Sequence, residues 1–220
     1  MITPQEERFQ RMLELSLQPF YEGLYGLLLD DAEAFLAMSD DEIRDKIDND
    51  PRVELLLAAL IVMFRQGLKV GASVAADLLN MESVDVPMSE LFDADRHALE
   101  LVSMTATSSL VVTIANDLIS LRNAFKSDVQ GLMATAKAWI RTNVINKARI
   151  VAATETNRIV NRAAMAIYRT VGVKRVEFRI REGACPKCAP LQGIYNIDEV
   201  PQLPPIHPYC YCLIFPYFGE

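Results

Sequence analysis

The 220-residue chain reads as a mainly α protein, a multi-helix N-terminal body with a small C-terminal α+β tail. Three observations predict this. Apolar residues recur at three- and four-residue spacing from about Ala98 to Phe125 and from Val129 to Val171, the period of a helix with one buried face. Two capping boxes, Thr3-Pro4-Gln5-Glu6 and Ser39-Asp40-Asp41-Glu42, mark helix starts, because each pairs an N-cap hydroxyl with a glutamate three residues on. After Gly172 the apolar period falls to two and prolines gather, and both features oppose a helix.

The first capping box places proline at the first helical position and opens a helix expected to reach about Leu29, bent near Pro19. The second opens a short acidic helix. Asp50-Pro51 starts a third helix, which runs through the apolar stretch LLLAALIVMF to about Asn80. Gly67 and Gly71 are expected to break or bend it. Pro87 to Asp95 is read as a connector. The two long periodic stretches follow, and Gly172 is placed to end the last helix. Beyond it, Val176, Phe178 and Ile180 share one face of a strand. Gly193–Ile197 and Leu213–Tyr217 are shorter strand candidates. Prolines 201, 204, 205 and 208 rule out helix between them.

Composition sets outer limits. The chain is 51% apolar and 23% charged, enough apolar material for a core of ordinary kind. The N-terminal MITPQEERFQ carries early charge and no apolar h-region, so no secretory signal is read. LLLAALIVMF is about half the length of a bilayer span, and Arg65 and Lys69 follow it, so a buried helix is expected and no membrane partner. A reducing compartment follows from these readings, where clustered cysteines favour metal over disulfides. The formal charge of −7 is uneven: Arg141 to Glu182 carries ten Lys or Arg against three Glu, whereas Asp30 to Asp50 carries nine acids against Arg44 and Lys46. Such a split fits either solvated helix faces or assembly contacts.

All four cysteines and one of the two histidines lie in the last 36 positions. Cys185-Pro186-Lys187-Cys188 is a C-x2-C pair. Eighteen residues later comes His207-Pro208-Tyr209-Cys210-Tyr211-Cys212. Zinc takes four tetrahedral nitrogen or sulfur ligands, commonly as two close pairs joined by a loop. A tail too small to bury much needs such a staple. A redox C-x-x-C and a pair of disulfides are the competing readings. A structural zinc knuckle is favoured, with Cys185, Cys188, His207 and one of Cys210 and Cys212 as ligands, Cys210 first. The zinc-deaminase pattern, with H-x-E ahead of P-C-x-x-C, is absent. No glycine-rich phosphate loop or serine-histidine-acid order is present either, and no enzyme activity is expected.

The stretch Ala152-Ala153-Thr154-Glu155-Thr156-Asn157-Arg158, the C-P-x-C pair, the Gln192-Gly193 turn and Pro204-Pro205-Ile206-His207-Pro208-Tyr209-Cys210-Tyr211-Cys212 together resemble the phage head morphogenesis family, the Mu F-like minor head proteins of tailed bacteriophages. The likeness covers about Asn143 to Phe218. It departs from the family at Tyr211, where an arginine is usual between the last two cysteines. The capping boxes and periodicity give a helical body over 1–142, and the resemblance implies a head morphogenesis domain over 143–220, a long helix followed by a zinc-binding β tail at 173–220. It implies a virion structural protein present in several copies in the head near the portal, and in the host cytoplasm during assembly. Its partners would be the portal and other head proteins, with a part in DNA packaging or ejection.

Within the long helix, Glu155, Arg158, Arg162 and Arg169 cluster on one side at 100° per residue. Ile159, Val160, Ala163, Ala166, Ile167 and Val171 fall on the other. The basic face is either solvated or a contact surface for phage DNA or an acidic protein patch. A zinc-stabilised nucleic-acid-binding module is therefore the second reading, against which stand the acidic total and the lack of basic-aromatic interleaving.

Overall fold

A computed structural model describes residues 3–81, 88–180 and 185–219. Among them the chain forms α1 (Pro4–Asp30), α2 (Ala32–Ala37), α3 (Asp40–Asp48), α4 (Pro51–Leu78), α5 (Met88–Phe125) and α6 (Val129–Thr170). Strands β1 (Arg175–Arg179), β2 (Gly193–Asn196) and β3 (Leu213–Tyr217) follow, with a 3-10 turn at Ala189–Leu191. The mainly α body and the small α+β tail are both present.

Helix starts follow the local chemistry. At α1 the Thr3 hydroxyl accepts the Glu6 amide at 3.2 Å, and the Glu6 carboxylate accepts the Thr3 amide at 2.6 Å. Ser39 and Glu42 form the same reciprocal pair at α3. Asp128 caps α6 by accepting the Gly131 amide at 2.8 Å. The short α2 was not legible as a helix, although Asp31 caps it through the Ala34 amide. The connector read at Pro87–Asp95 is corrected: α5 begins at Met88, and Pro87 lies outside the described residues. From Met88 to Phe125 no proline or glycine interrupts the chain, so a polar, acid-rich start suffices for helix. At the far end of α6, Gly172 takes φ +79°. The Val173 amide donates to the Tyr168 carbonyl at 2.9 Å and the Gly172 amide to that of Arg169 at 3.1 Å. This is a Schellman cap, in which the left-handed residue favours glycine.

Gly67 and Gly71 neither break nor end α4. A Cβ at Gly71 would lie 2.6 Å from that of Ala163 and 3.0 Å from Val160 Cα; one at Gly67 would lie 2.6 Å from the Phe9 ring. These glycines let α4 approach α6 and the first turns of α1. By length and composition α4 and Ser103–Phe125 could each cross a membrane, so the short apolar run alone did not measure α4. In α4, Leu56, Leu60, Phe64 and Leu68 are nonetheless buried as a stripe at helical spacing.

The chain divides into two compact units. One comprises 13–61 and 100–149, the other 1–12, 62–99 and 150–220. In the first, Tyr25 donates to Asp117 at 2.6 Å, Lys147 pairs with the same carboxylate oxygen at 3.2 Å, and Trp139 meets the Tyr25 ring edge-on at 5.5 Å. The second holds the tail. Its antiparallel sheet has the order β2-β1-β3, with Val176 opposite Tyr195 and Pro216, and Phe178 opposite Gly193 and Ile214. Pro216 is tolerated because β3 is an edge strand. Val176, Phe178 and Ile214 bury one face of the sheet in the same apolar cluster as Met165, Ile167 and Tyr168 of α6. Val171, placed on the apolar side by helical periodicity, is exposed at the end of α6.

Candidate metal centre

Two short turns bring the sulfur and nitrogen donors together. The Cys188 and Ala189 amides both donate to the Cys185 carbonyl, at 3.0 and 3.1 Å, closing the C-x2-C turn. The Cys210 amide donates to the His207 carbonyl at 3.1 Å, so the second pair is closed in the same way. Tyr209 bends that second turn with φ +60°, a left-handed conformation uncommon for a side chain of this size. Its amide is held by the Thr154 hydroxyl of α6 at 3.2 Å.

The donors converge. Cys185 and Cys188 Sγ stand 3.8 Å apart, as do Cys188 and Cys210 Sγ. His207 Nε2 lies 3.1 Å from Cys185 Sγ and 3.2 Å from Cys188 Sγ. Two sulfurs bound tetrahedrally to one ion at ~2.3 Å are separated by ~3.8 Å, which matches both sulfur–sulfur spacings. The nitrogen–sulfur edges are a few tenths of an ångström shorter than that geometry gives. The donors form two trios, Cys185-Cys188-His207 and Cys188-Cys210-Cys212, within each of which all donor atoms lie within 4.8 Å of one another. Cys188 belongs to both. The residues fit a metal ion, with five donors for four places.

The surroundings favour the same role. His207 Nδ1 lies 2.7 Å from the Pro208 carbonyl. Nδ1 is then the protonated nitrogen and Nε2, facing the thiols, carries the lone pair, as in metal-ligating histidines. All four cysteines are free thiols, and Cys188, Cys210 and Cys212 are almost fully buried. For Cys185, desolvation raises the thiol pKa, but the amides of Cys188 and Lys187, the Cys188 thiol and the Lys187 charge outweigh it, and the net direction is down. For Cys188, burial foremost, then the Cys212 and Cys185 thiols and charge on Cys210, push the thiol well up. A bound cation would reverse that cost.

Two residues carry a role that the sequence reading did not assign. Asn157 donates to the Cys212 carbonyl at 2.9 Å. Asn161 donates to the same carbonyl at 3.3 Å and accepts the Ile214 amide at 2.8 Å. They stand four apart on α6 and are 6% and 1% exposed, so the helix supplies hydrogen bonds that the last cysteine and β3 require. Two polar amides at helical spacing inside an apolar stretch were the available signal.

The basic face is more engaged than its charge suggests. Glu155, placed with the polar side, is buried and pairs with Arg158 at 2.8 Å. Arg169 pairs with Asp198 at 3.2 Å across an exposed gap. Arg162 is half-buried, with no ion pair among the described residues. Compared with protein-family models, curated proteins and solved structures, the chain matches none.

Proposed function

We propose that the chain is a minor head protein of a tailed bacteriophage, with a structural zinc ion held by Cys185, Cys188, His207 and Cys210. In this reading it binds the portal and other head components and catalyses nothing. The observation that supports it is the meeting of the two sequence motifs behind the family resemblance. Thr154 holds the Tyr209 amide, and Asn157 holds the Cys212 carbonyl, so the Thr154-Glu155-Thr156-Asn157 stretch and the closing cysteine-histidine segment work as one module. Zinc is the ion that suits a thiolate-rich, single-imidazole set. The second reading, a nucleic-acid-binding module, is weakened by the pairing of Arg158 and Arg169 with acidic partners, which leaves less free charge for phosphates.

The test is co-expression of the full chain with the portal protein of the same phage, followed by affinity recovery and by analysis of purified virions. The chain should be recovered with the portal and found in virions. Recovery should weaken but persist at raised salt, because opposite charges steer association while apolar burial holds it. Absence from both sinks the head-protein reading. Salt-sensitive binding to double-stranded DNA, lost on charge reversal at Arg158, Arg162 and Arg169, would then advance the nucleic-acid module.

A further inference from the structure

A cavity of about 450 Å³ lies within the tail-bearing unit, between the start of α1, the middle of α6 and strands β1 and β3. That volume is in the range of small-ligand sites. Leu213 and Phe215 supply an apolar wall, and Glu6, Glu7, Thr156 and Asn157 supply polar atoms. Thr156 Oγ1 and Asn157 Oδ1 are buried without a hydrogen-bond partner, in residues only 2% and 6% exposed. Buried polar atoms are ordinarily paired, so two orphans on one cavity wall call for a partner.

The charge balance says what kind. Glu6 is 3% exposed. It accepts the Thr3 amide, and no Lys, Arg or His pairs with it among the described residues. A buried carboxylate without a countercharge is costly. Glu7 adds a second, exposed carboxylate. Among the described residues the one cation on the lining, Arg179, pairs with Glu177 and stacks over the Phe215 ring at 4.2 Å. Among the described residues the lining thus carries two carboxylates and two orphan polar atoms beside an apolar wall, against the single guanidinium of Arg179, which already has a carboxylate partner.

We infer that this cavity binds an organic cation on an alkyl stem, a guanidinium or primary ammonium group. Its N–H donors meet Asn157 Oδ1, Thr156 Oγ1 and the Glu6 carboxylate, and the stem lies against Leu213 and Phe215. A guanidinium suits it best, with five donors in one plane. Such a group comes either from a free small molecule or from an arginine or lysine side chain of a partner.

The test is an NMR titration of the metal-loaded full chain with n-butylguanidinium, neutral n-butylurea, and the blocked tripeptide acetyl-Ala-Arg-Ala-amide. The guanidinium should give saturable shifts at Ala153, Thr156, Asn157 and Leu213, with the urea at least about tenfold weaker for want of charge. The Glu6→Gln, Glu7→Gln double variant should weaken binding about tenfold, and it keeps the α1 capping box because glutamine serves at that position. Thr156→Val should weaken it similarly while leaving the fold intact, since that hydroxyl makes no hydrogen bond within the protein. Tighter binding of the tripeptide than of the free guanidinium identifies a partner side chain as the source, and the reverse order a small molecule; either supports the cation site. No saturable shift at these residues, or equal binding of the urea, overturns it.

Discussion

Asn161 stands in for a missing strand neighbour of Ile214: its Oδ1 accepts the Ile214 amide at 2.8 Å, and its Nδ2 reaches the carbonyl of Cys212 two residues earlier at 3.3 Å. One helix side chain therefore satisfies a backbone donor and acceptor at the entry to β3, where both are buried. Asn161→Leu would fill the space but leave the Ile214 amide unmet, while the Cys212 carbonyl keeps its bond from Asn157 at 2.9 Å. The expected loss is about 1–3 kcal/mol, from one buried unsatisfied amide. Thermal unfolding of the metal-loaded protein measures it, and amide exchange should accelerate first at Ile214. A loss under ~0.5 kcal/mol would show that the contact is dispensable.

The five donors divide unequally. Cys188 belongs to both trios, so Cys188→Ser should abolish metal binding, as should Cys185→Ser. Cys210 repeats against Cys188 the 3.8 Å spacing of the Cys185–Cys188 pair. Cys210→Ser should therefore also lose the ion, whereas Cys212→Ser should keep close to one equivalent, as four-coordinate zinc requires. Elemental analysis of protein purified without chelator decides this. The opposite ranking would make Cys212 the fourth ligand.

Metal loading should release protons. Burial, above all, raises the Cys188 thiol pKa, so that thiol is protonated at neutral pH in the metal-free protein. An ion must displace this proton, and affinity should fall on acidification. Calorimetry near pH 7 in two buffers of different ionisation enthalpy should show about two or more protons released per ion. The linkage sign for the metal-free fold is the reverse. A thiol pKa raised on folding contributes stability that is present below the unfolded value near ~8.5 and is lost as pH rises toward the folded value. Metal-free protein should lose Tm at alkaline pH, and metal-loaded protein should not.

Much of this was legible because it rests on local rules. Thr3 with Glu6, Ser39 with Glu42, and Gly172 each announce a helix boundary through chemistry confined to four or five residues, and the period-two run at Val176 and Phe178 announces β1 the same way. The cysteine-histidine spacing likewise brought the candidate metal donors together on paper. The rest depends on residues far apart in sequence. Gly67 and Gly71 read as helix breakers until Phe9 and Ala163 stand against them. The role of Asn157 and Asn161 rests on partners distant in sequence, since Cys212 and Ile214 arrive from more than fifty residues away. Glu6 read only as half of a capping box, and nothing local tells that its carboxylate borders a cavity.

Gly71 and Gly26 give a paired test of that distinction. Both sit inside long helices, where glycine costs roughly 0.5–1 kcal/mol relative to alanine through backbone entropy. At Gly26 a Cβ would meet nothing within 4 Å, so Gly26→Ala should stabilise by about that amount. At Gly71 the new Cβ would lie 2.6 Å from Ala163 Cβ and 3.0 Å from Val160 Cα. One of these is backbone and neither is a flexible side-chain end, so α4 must move off α6. Overpacking of this kind typically costs about 1–3 kcal/mol, which outweighs the helix gain. Gly71→Ala should therefore lower Tm while Gly26→Ala raises it. If alanine is stabilising at both positions, the close approach of α4 to α6 is wrong and Gly71 is an ordinary helix glycine.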